Sequence, residues 1–515
     1  MRDFTSHQMP GFTVTSDRNP LFMLLPALFL MLGVIFFLFL FVMDLGESAF
    51  ELERPYLIPW VIATGLVVVA PSVYLKYRNE FSVTHPLVFA ALTYFFPIFF
   101  LGGLSLAFGL SSHYYLNYVT DPQYNFPLAF LCAMVGYAGL SAGFFIPKGK
   151  NVGNYIASWL PKWDFKPEEI VIGSLVCLAV GIFLNISALE LGQIGFQSTA
   201  DDALGETVSL NYYLTIIAPT SSFLLWIAFF KFKEWNFYHL IIAVVQILTA
   251  GFMLVILGGK SSLLQSLVLA IGAFVLVKRK VVLKHWVIFT AGLLICLIVG
   301  VIYGTKFRNL KGGNDRISAE KYGEVAFESM AGLGDGDMSV QLQETFEVLA
   351  ERLEIVSSLA VVVSNYEALS TYEASYGLEN NIWTYTWTAF IPRFLWKDKP
   401  VIADNYSYNE LYFDHGGFGL AITAMGDLLR NFGPLGVPLG MIVLGFVLRI
   451  FYAMFVEGQP FSAWRTTIYF LVLTRINYDS FYGEILPTTL RIAAVIFIQL
   501  FILKIVIYAM RRNNT

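Results

Sequence analysis

Charge is scarce in this chain. Only 14% of its 515 residues are Asp, Glu, Lys or Arg, where soluble proteins carry about 25%. That is too little to cover a soluble protein of this length, and a mean hydropathy of +0.65 asks for lipid as the solvent. Cysteine is scarcer still. Cys132, Cys177 and Cys296 all fall inside apolar runs, so neither a disulfide framework nor a thiolate zinc site follows. None of the six histidines has a partner at metal-ligand spacing. A net charge of -4 without a basic block argues against a nucleic-acid partner. Internal repeats are also missing, which weakens the reading as an inverted-repeat transporter.

What the chain has is twelve apolar runs. The first, 21–43, has no charge, and about 20 apolar residues suffice to cross the hydrocarbon. It is too long for a signal h-region and lacks a small-residue cleavage site, so it reads as a retained span. The others lie at 56–75, 86–110, 127–147, 170–189, 209–230, 238–258, 262–277, 286–304, 433–455, 460–474 and 487–510. Alternate connections carry Lys and Arg: Lys76 and Arg78; Lys148, Lys150, Lys162 and Lys166; Lys231 and Lys233; Lys278, Arg279, Lys280 and Lys284; and terminal Arg511 and Arg512. The opposite set is acidic or neutral. Because cytoplasmic loops hold the excess of Lys and Arg, both termini are expected in the cytoplasm and 305–433 outside. The expected architecture is all-α and polytopic, with a bundle of nine spans over 1–304, a large outer loop over 305–433 and three last spans over 434–515.

The long loop collects the polar chemistry. Residues 341–363 have helical spacing, with Phe346, Leu349, Leu353, Val356 and Ala360 in one stripe, and read as a helix on the leaflet or packed on the bundle. Residues 381–417 are crowded with Trp and Tyr, which suit a membrane boundary or stacking on sugars. The run Ile391–Pro400 places Arg393, Lys397 and Lys399 beside Trp396. It reads either as a lipid-gripping segment or as a cationic site for a lipid diphosphate, whose oxygens an Arg can hold bidentately. An Asp-x-Asp triplet at Asp335 and Asp337 is flanked by Gly and reads as a flexible acidic turn.

That run, together with Gly426-Asp427-Leu428-Leu429-Arg430-Asn431-Phe432-Gly433 and Glu351-Arg352-Leu353-Glu354, resembles the Wzy-type oligosaccharide repeat-unit polymerases of O-antigen and exopolysaccharide synthesis. The many-span layout with one large late loop is similar, and is GT-C-like. Two departures stand out: Asp427 where Glu is commoner, and Lys260 in place of Arg in the turn 258–262. The resemblance implies a metal-free glycosyltransferase of the bacterial inner membrane without a cofactor. It would transfer a growing chain from undecaprenyl diphosphate to the next lipid-linked oligosaccharide, alongside membrane lipids, a flippase and a chain-length regulator. An O-antigen ligase is the enzyme alternative, and a lipid-linked oligosaccharide flippase the alternative of another class.

Such a reaction needs cations for the leaving diphosphate and a group to take the acceptor's proton. Arg393, Asp427, Arg308 and Arg475 are the candidate catalytic residues. Lys260, Arg352, Lys397, Lys399, Arg430, Arg491, His415 and Trp396 are the candidates for substrate binding. Each span-end Arg can equally be a snorkelling side chain, Asp427 can simply pair with Arg430 one turn on, and Asp414 and Asp479 are further candidate bases. No metal site is expected.

Overall fold

A computed structural model describes residues 52–111, 113–192, 194–195, 214–257, 260–278, 282–312, 317–332, 349–388, 391, 396, 405–415 and 420–513. Among these every regular element is helical. The helices are α1 (Ile58–Tyr77), α2 (Pro86–Ala107), α3 (Pro122–Phe144), α4 (Pro147–Trp159), α5 (Pro167–Glu190), α6 (Ile217–Lys231), α7 (Phe237–Leu257), α8 (Lys260–Lys278) and α9 (Leu283–Lys311). They continue as α10 (Ala319–Ala331), α11 (Val356–Leu369), α12 (Asn381–Thr388), α13 (Asn405–Phe413), α14 (Ala424–Phe432), α15 (Gly436–Phe455), α16 (Ala463–Leu473) and α17 (Tyr482–Asn513).

Eight of the described helices are long and apolar enough to cross a membrane: α1, α2, α3, α5, α7, α9, α15 and α17. The runs expected at 209–230, 262–277 and 460–474 coincide with the shorter helices α6, α8 and α16. The first run lies outside the described residues. Hydropathy located these elements because a span must hide its backbone in a helix and its side chains in lipid.

Among the described residues, which exclude 341–348, the chain differs from its expected layout in three places. Helix α9 runs on to Lys311, and α10 follows within what reads as a polar stretch. The helix expected over 341–363 is interrupted, and α11 starts at Val356. At the break, the Glu354 carboxylate accepts the Ser357 backbone N–H at 2.8 Å, which serves an otherwise orphaned donor of the first turn. Residues 356–362 are all buried, so the first half of α11 packs inside the bundle, against α3 and α14, and only its second half reaches the surface. Helix α17 begins at Tyr482, five residues before the apolar run, and so brings Glu484 onto a span.

Contacts between connections sort the helix ends. At one end Glu457 pairs with Lys150 at 3.0 Å and Arg449 at 2.8 Å, and Arg511 pairs with Glu169 at 2.5 Å. At the other end Arg54 donates to the Leu106 carbonyl at 3.0 Å, Tyr322 to that of Ile256 at 2.8 Å and Asn185 to that of Thr215 at 3.3 Å. The connections that carry Lys150, Glu169 and Lys231 thus meet the 456–462 connection and the Arg511 end of α17 at one end of the bundle, here called the basic end.

Two large apolar cores hold most of the helices, and a smaller cluster of Leu254, Tyr303, Phe307 and Tyr322 joins α9 and α10 to α7. One large core is built on α1–α3, α11 and α13–α15, the other on α5–α8, α16 and α17. In the first, α3 and α15 meet backbone to backbone. A Cβ on Gly143 would fall 2.0 Å from the Ile442 carbonyl oxygen, and one on Gly445 would fall 2.0 Å from that of Leu140. Small residues let spans approach this closely where lipid supplies no hydrophobic drive. Gly143→Val is therefore expected to cost at least the 1–3 kcal/mol or so typical of overpacking, visible as a lower melting temperature in detergent. Gly323→Ala, whose Cβ would meet nothing within 4 Å, is the silent control.

Candidate active site

Helix α14 starts with Thr423 Oγ1 accepting the Gly426 N–H at 2.9 Å. This cap puts Asp427, Arg430 and Asn431 on one inward face at i, i+3 and i+4. Asp427 is fully buried. Its Oδ1 accepts from Arg430 at 2.7 Å, Asn431 at 3.1 Å and Asn381 at 3.4 Å, and its Oδ2 from the Tyr482 N–H at 2.8 Å. Arg430 Nη1 reaches Glu373 Oε1 at 3.2 Å and the Leu378 carbonyl at 3.1 Å, and Tyr412 donates to the same Glu373 oxygen at 2.8 Å. The guanidinium lies over Tyr408 and Phe481, 5.7 and 5.5 Å from their ring centres. Burial alone would lower the Arg430 pKa, but Asp427 and Glu373 outweigh it and hold the side chain charged. This cluster joins four pieces of chain far apart in sequence. Its carboxylate is saturated by donors, which suits holding more than proton transfer.

Beside it the loop 474–481 connects α16 to α17. The Ile422 and Thr423 N–H groups donate to the Asp479 carbonyl at 3.0 and 3.2 Å, and that of Ala424 to the Tyr478 carbonyl at 2.8 Å. Burial pushes the Asp479 carboxyl up to about 6. The other side of the loop, with Arg475, Asn477 and Ser480, walls a cavity of about 800 Å³. Helices α5, α6, α7, α8 and α17 complete it at the end of the bundle opposite the basic one. About half of its lining is aliphatic, with Met253, Leu257, Leu269 and Ile485 among it, and the polar half is mainly hydroxyl and amide: Asn185, Thr215, Ser222 and Thr249 on one side, Ser262, Gln265 and Ser266 on another, and Thr488 on α17. One cation, Arg475, and one carboxylate, Glu484, also line it. Glu484 feels the charges of Asp427 and Arg491, which lies two turns further along α17. A pocket this size, with few charges among neutral donors and acceptors, fits a polyhydroxylated ligand bearing an anionic group.

The structure brings only some of the expected residues together. Arg475 lines the cavity, Arg491 is within electrostatic reach of Glu484, and Asp427 and Arg430 sit in the adjoining cluster. Lys260 begins α8, whose Ser262, Gln265 and Ser266 face the cavity. Arg308, at the end of α9, and Arg352 are exposed side chains close enough for their charges to act on each other, and neither lines the cavity. His415 packs by Tyr114, with ring centres 5.6 Å apart, and Trp396 stacks on Trp387 at 5.7 Å; both are away from the cavity lining. Arg393, Lys397, Lys399 and the Asp335 turn lie outside the described residues. Among the described residues no three His, Cys, Asp or Glu side chains converge as a metal site would require.

Two residues were missed from sequence, Glu373 and Glu484. Glu373 has no local signal, since its partners Arg430 and Tyr412 are distant in the chain. Glu484 had one: a carboxylate seven residues before Arg491 shares its helical face once α17 extends to Tyr482.

No solved structure matches this chain. A family model described as a domain of unknown function, DUF8712, matches residues 191–416, the stretch that supplies α6, α7 and α8 to the cavity wall but ends before Asp427, Arg475 and Glu484.

Proposed function

We propose that this chain is a membrane glycosyltransferase that polymerises lipid-linked oligosaccharides, and that the cavity is where transfer occurs. The observation that carries this reading is the cavity of mixed aliphatic, hydroxyl and amide lining that holds Arg475 and Glu484 at the end of a helical bundle opposite its basic connections. By the Lys/Arg rule the basic end is cytoplasmic, so the cavity opens toward the outer leaflet of a twelve-span protein. In this scheme the acceptor hydroxyl gives its proton to Glu484 and its oxygen bonds to the donor's anomeric carbon. The bond from that carbon to the lipid diphosphate breaks, and the electron pair leaves with the diphosphate, whose growing charge Arg475 faces. Arg393, from the resemblance, is a second grip on the diphosphate. Asp427 is assigned the task of fixing the head of α17, and with it Glu484.

The reading is tested with purified protein and undecaprenyl-diphosphate-linked repeat units. A ladder of products formed in the presence of chelator is the expected result. A single addition to another acceptor would move the protein to the ligases. Movement of the lipid-linked sugar across liposomes without covalent change would replace the enzyme reading by a flippase. Loss of the ladder in chelator, with rescue by magnesium or manganese, would overturn the metal-free chemistry.

A further inference from the structure

Helix α4 is unlike its neighbours. At 13 residues it is about 20 Å long and too short to span. It is nevertheless tied to the membrane on both sides, following the span α3 after two residues and preceding the span α5 by seven. It has three faces. Gly149, Gly153 and Ala157, at i, i+4 and i+8, are buried, with the two glycines closing on Arg449 and Ile450 of α15. Asn151, Asn154 and Ser158 form an exposed polar face. Val152, Tyr155 and Trp159 form the third, exposed by 40%, 62% and 74%, with the two rings 5.1 Å apart. Lys148 and Lys150 stand on the helix and Lys162 and Lys166 just after it, against Asp164 and Glu168. Lys150 is committed to Glu457.

We infer that α4 is a surface foot whose Val152–Tyr155–Trp159 face lies in the headgroup layer at the basic end, where Lys148, Lys162 and Lys166 favour anionic lipid. Connectivity holds the helix at this depth. Tyr and Trp rings, apolar in body and polar at the tip, are the side chains that settle there. A helix with one apolar and one polar face lies in the interface plane, and the lysines match the negative potential of anionic lipid.

The test uses the full-length protein with Cys132, Cys177 and Cys296 replaced by alanine, in nanodiscs of phosphatidylcholine with or without phosphatidylglycerol. Nitroxide labels are placed at Tyr155→Cys and Asn154→Cys, with Val152→Cys standing in if Tyr155→Cys does not fold. The label at 155 or 152 is expected to be open to oxygen and shielded from a water-soluble nickel complex, and the label at 154 the reverse. Phosphatidylglycerol should deepen the shielding at 155, and Lys148→Gln with Lys162→Gln should remove that response. Equal nickel access at 155 and 154, as expected of a face that docks a cytoplasmic protein, would overturn the proposal. So would shielding that ignores phosphatidylglycerol.

Discussion

Arg475→Ala is expected to abolish polymer while leaving a folded, inserted protein. Arg475 lines the cavity from the end of α16, and removing a preorganised group that stabilises developing charge costs about 3–4 kcal/mol, on the order of a hundred- to a thousandfold in rate. Arg475→Lys should recover part of this, because an ammonium keeps the charge but not the planar fork that fits phosphate oxygens. Glu484→Gln completes the test. It keeps the shape of the side chain but cannot accept a proton, so turnover should fall by about 10²–10⁴ with little change in apparent affinity for the acceptor, while Glu484→Asp should retain more. Product ladders at matched protein levels provide the measurement. Wild-type ladders from both Arg475→Ala and Glu484→Gln would move the chemistry out of this cavity.

The largest loss of stability is expected from Arg430→Met. The guanidinium stands between two buried carboxylates, Asp427 at 2.7 Å and Glu373 at 3.2 Å, and its removal leaves both without their counter-charge. Breaking a buried pair from one side costs about 3–5 kcal/mol. A loss of that size should appear as a drop in the melting temperature of the detergent-solubilised protein and in the yield of folded material. Asp427→Asn is expected to be milder, since Glu373 still faces the arginine, yet well above the roughly 0.3–0.5 kcal/mol of an exposed helical pair. A double-mutant cycle with Asp427→Asn and Arg430→Gln would read out the coupling directly. An Arg430→Met protein that melts with the wild type would show that the cluster does not hold the loop to the head of α17.

These two expectations differ in how far the sequence could lead to them. Arg475 was visible because a cation at the end of an apolar run is costly unless it meets something polar. The pairing of Asp427 with Arg430 was also visible, being one helical turn apart. Their burial was not, because Glu373, Leu378, Asn381, Tyr408 and Tyr482 arrive from three other stretches of chain. The apolar runs at 56–75 and 238–258 were legible because lipid imposes hydrophobicity locally, residue by residue. Helix α10 and the break at Glu354 were not, because among polar residues the choice between helix and loop rests on capping and tertiary contacts.

Every residue of α16, from Ala463 to Leu473, is buried. A helix enclosed on every side presents no face to lipid, which explains how it can open with Trp464, Arg465, Thr466 and Thr467. Arg465 spends its donors on Gln459 at 2.8 Å and the Ala157 carbonyl at 3.1 Å. Spans at the rim answer a thinner or thicker bilayer by tilting or snorkelling, whereas α16 has no lipid face through which to feel such a change. The charge at its far end, Arg475, therefore stands on an internal post whose height is set by protein alone. Activity should accordingly tolerate acyl chains of different length better than the rim helices do.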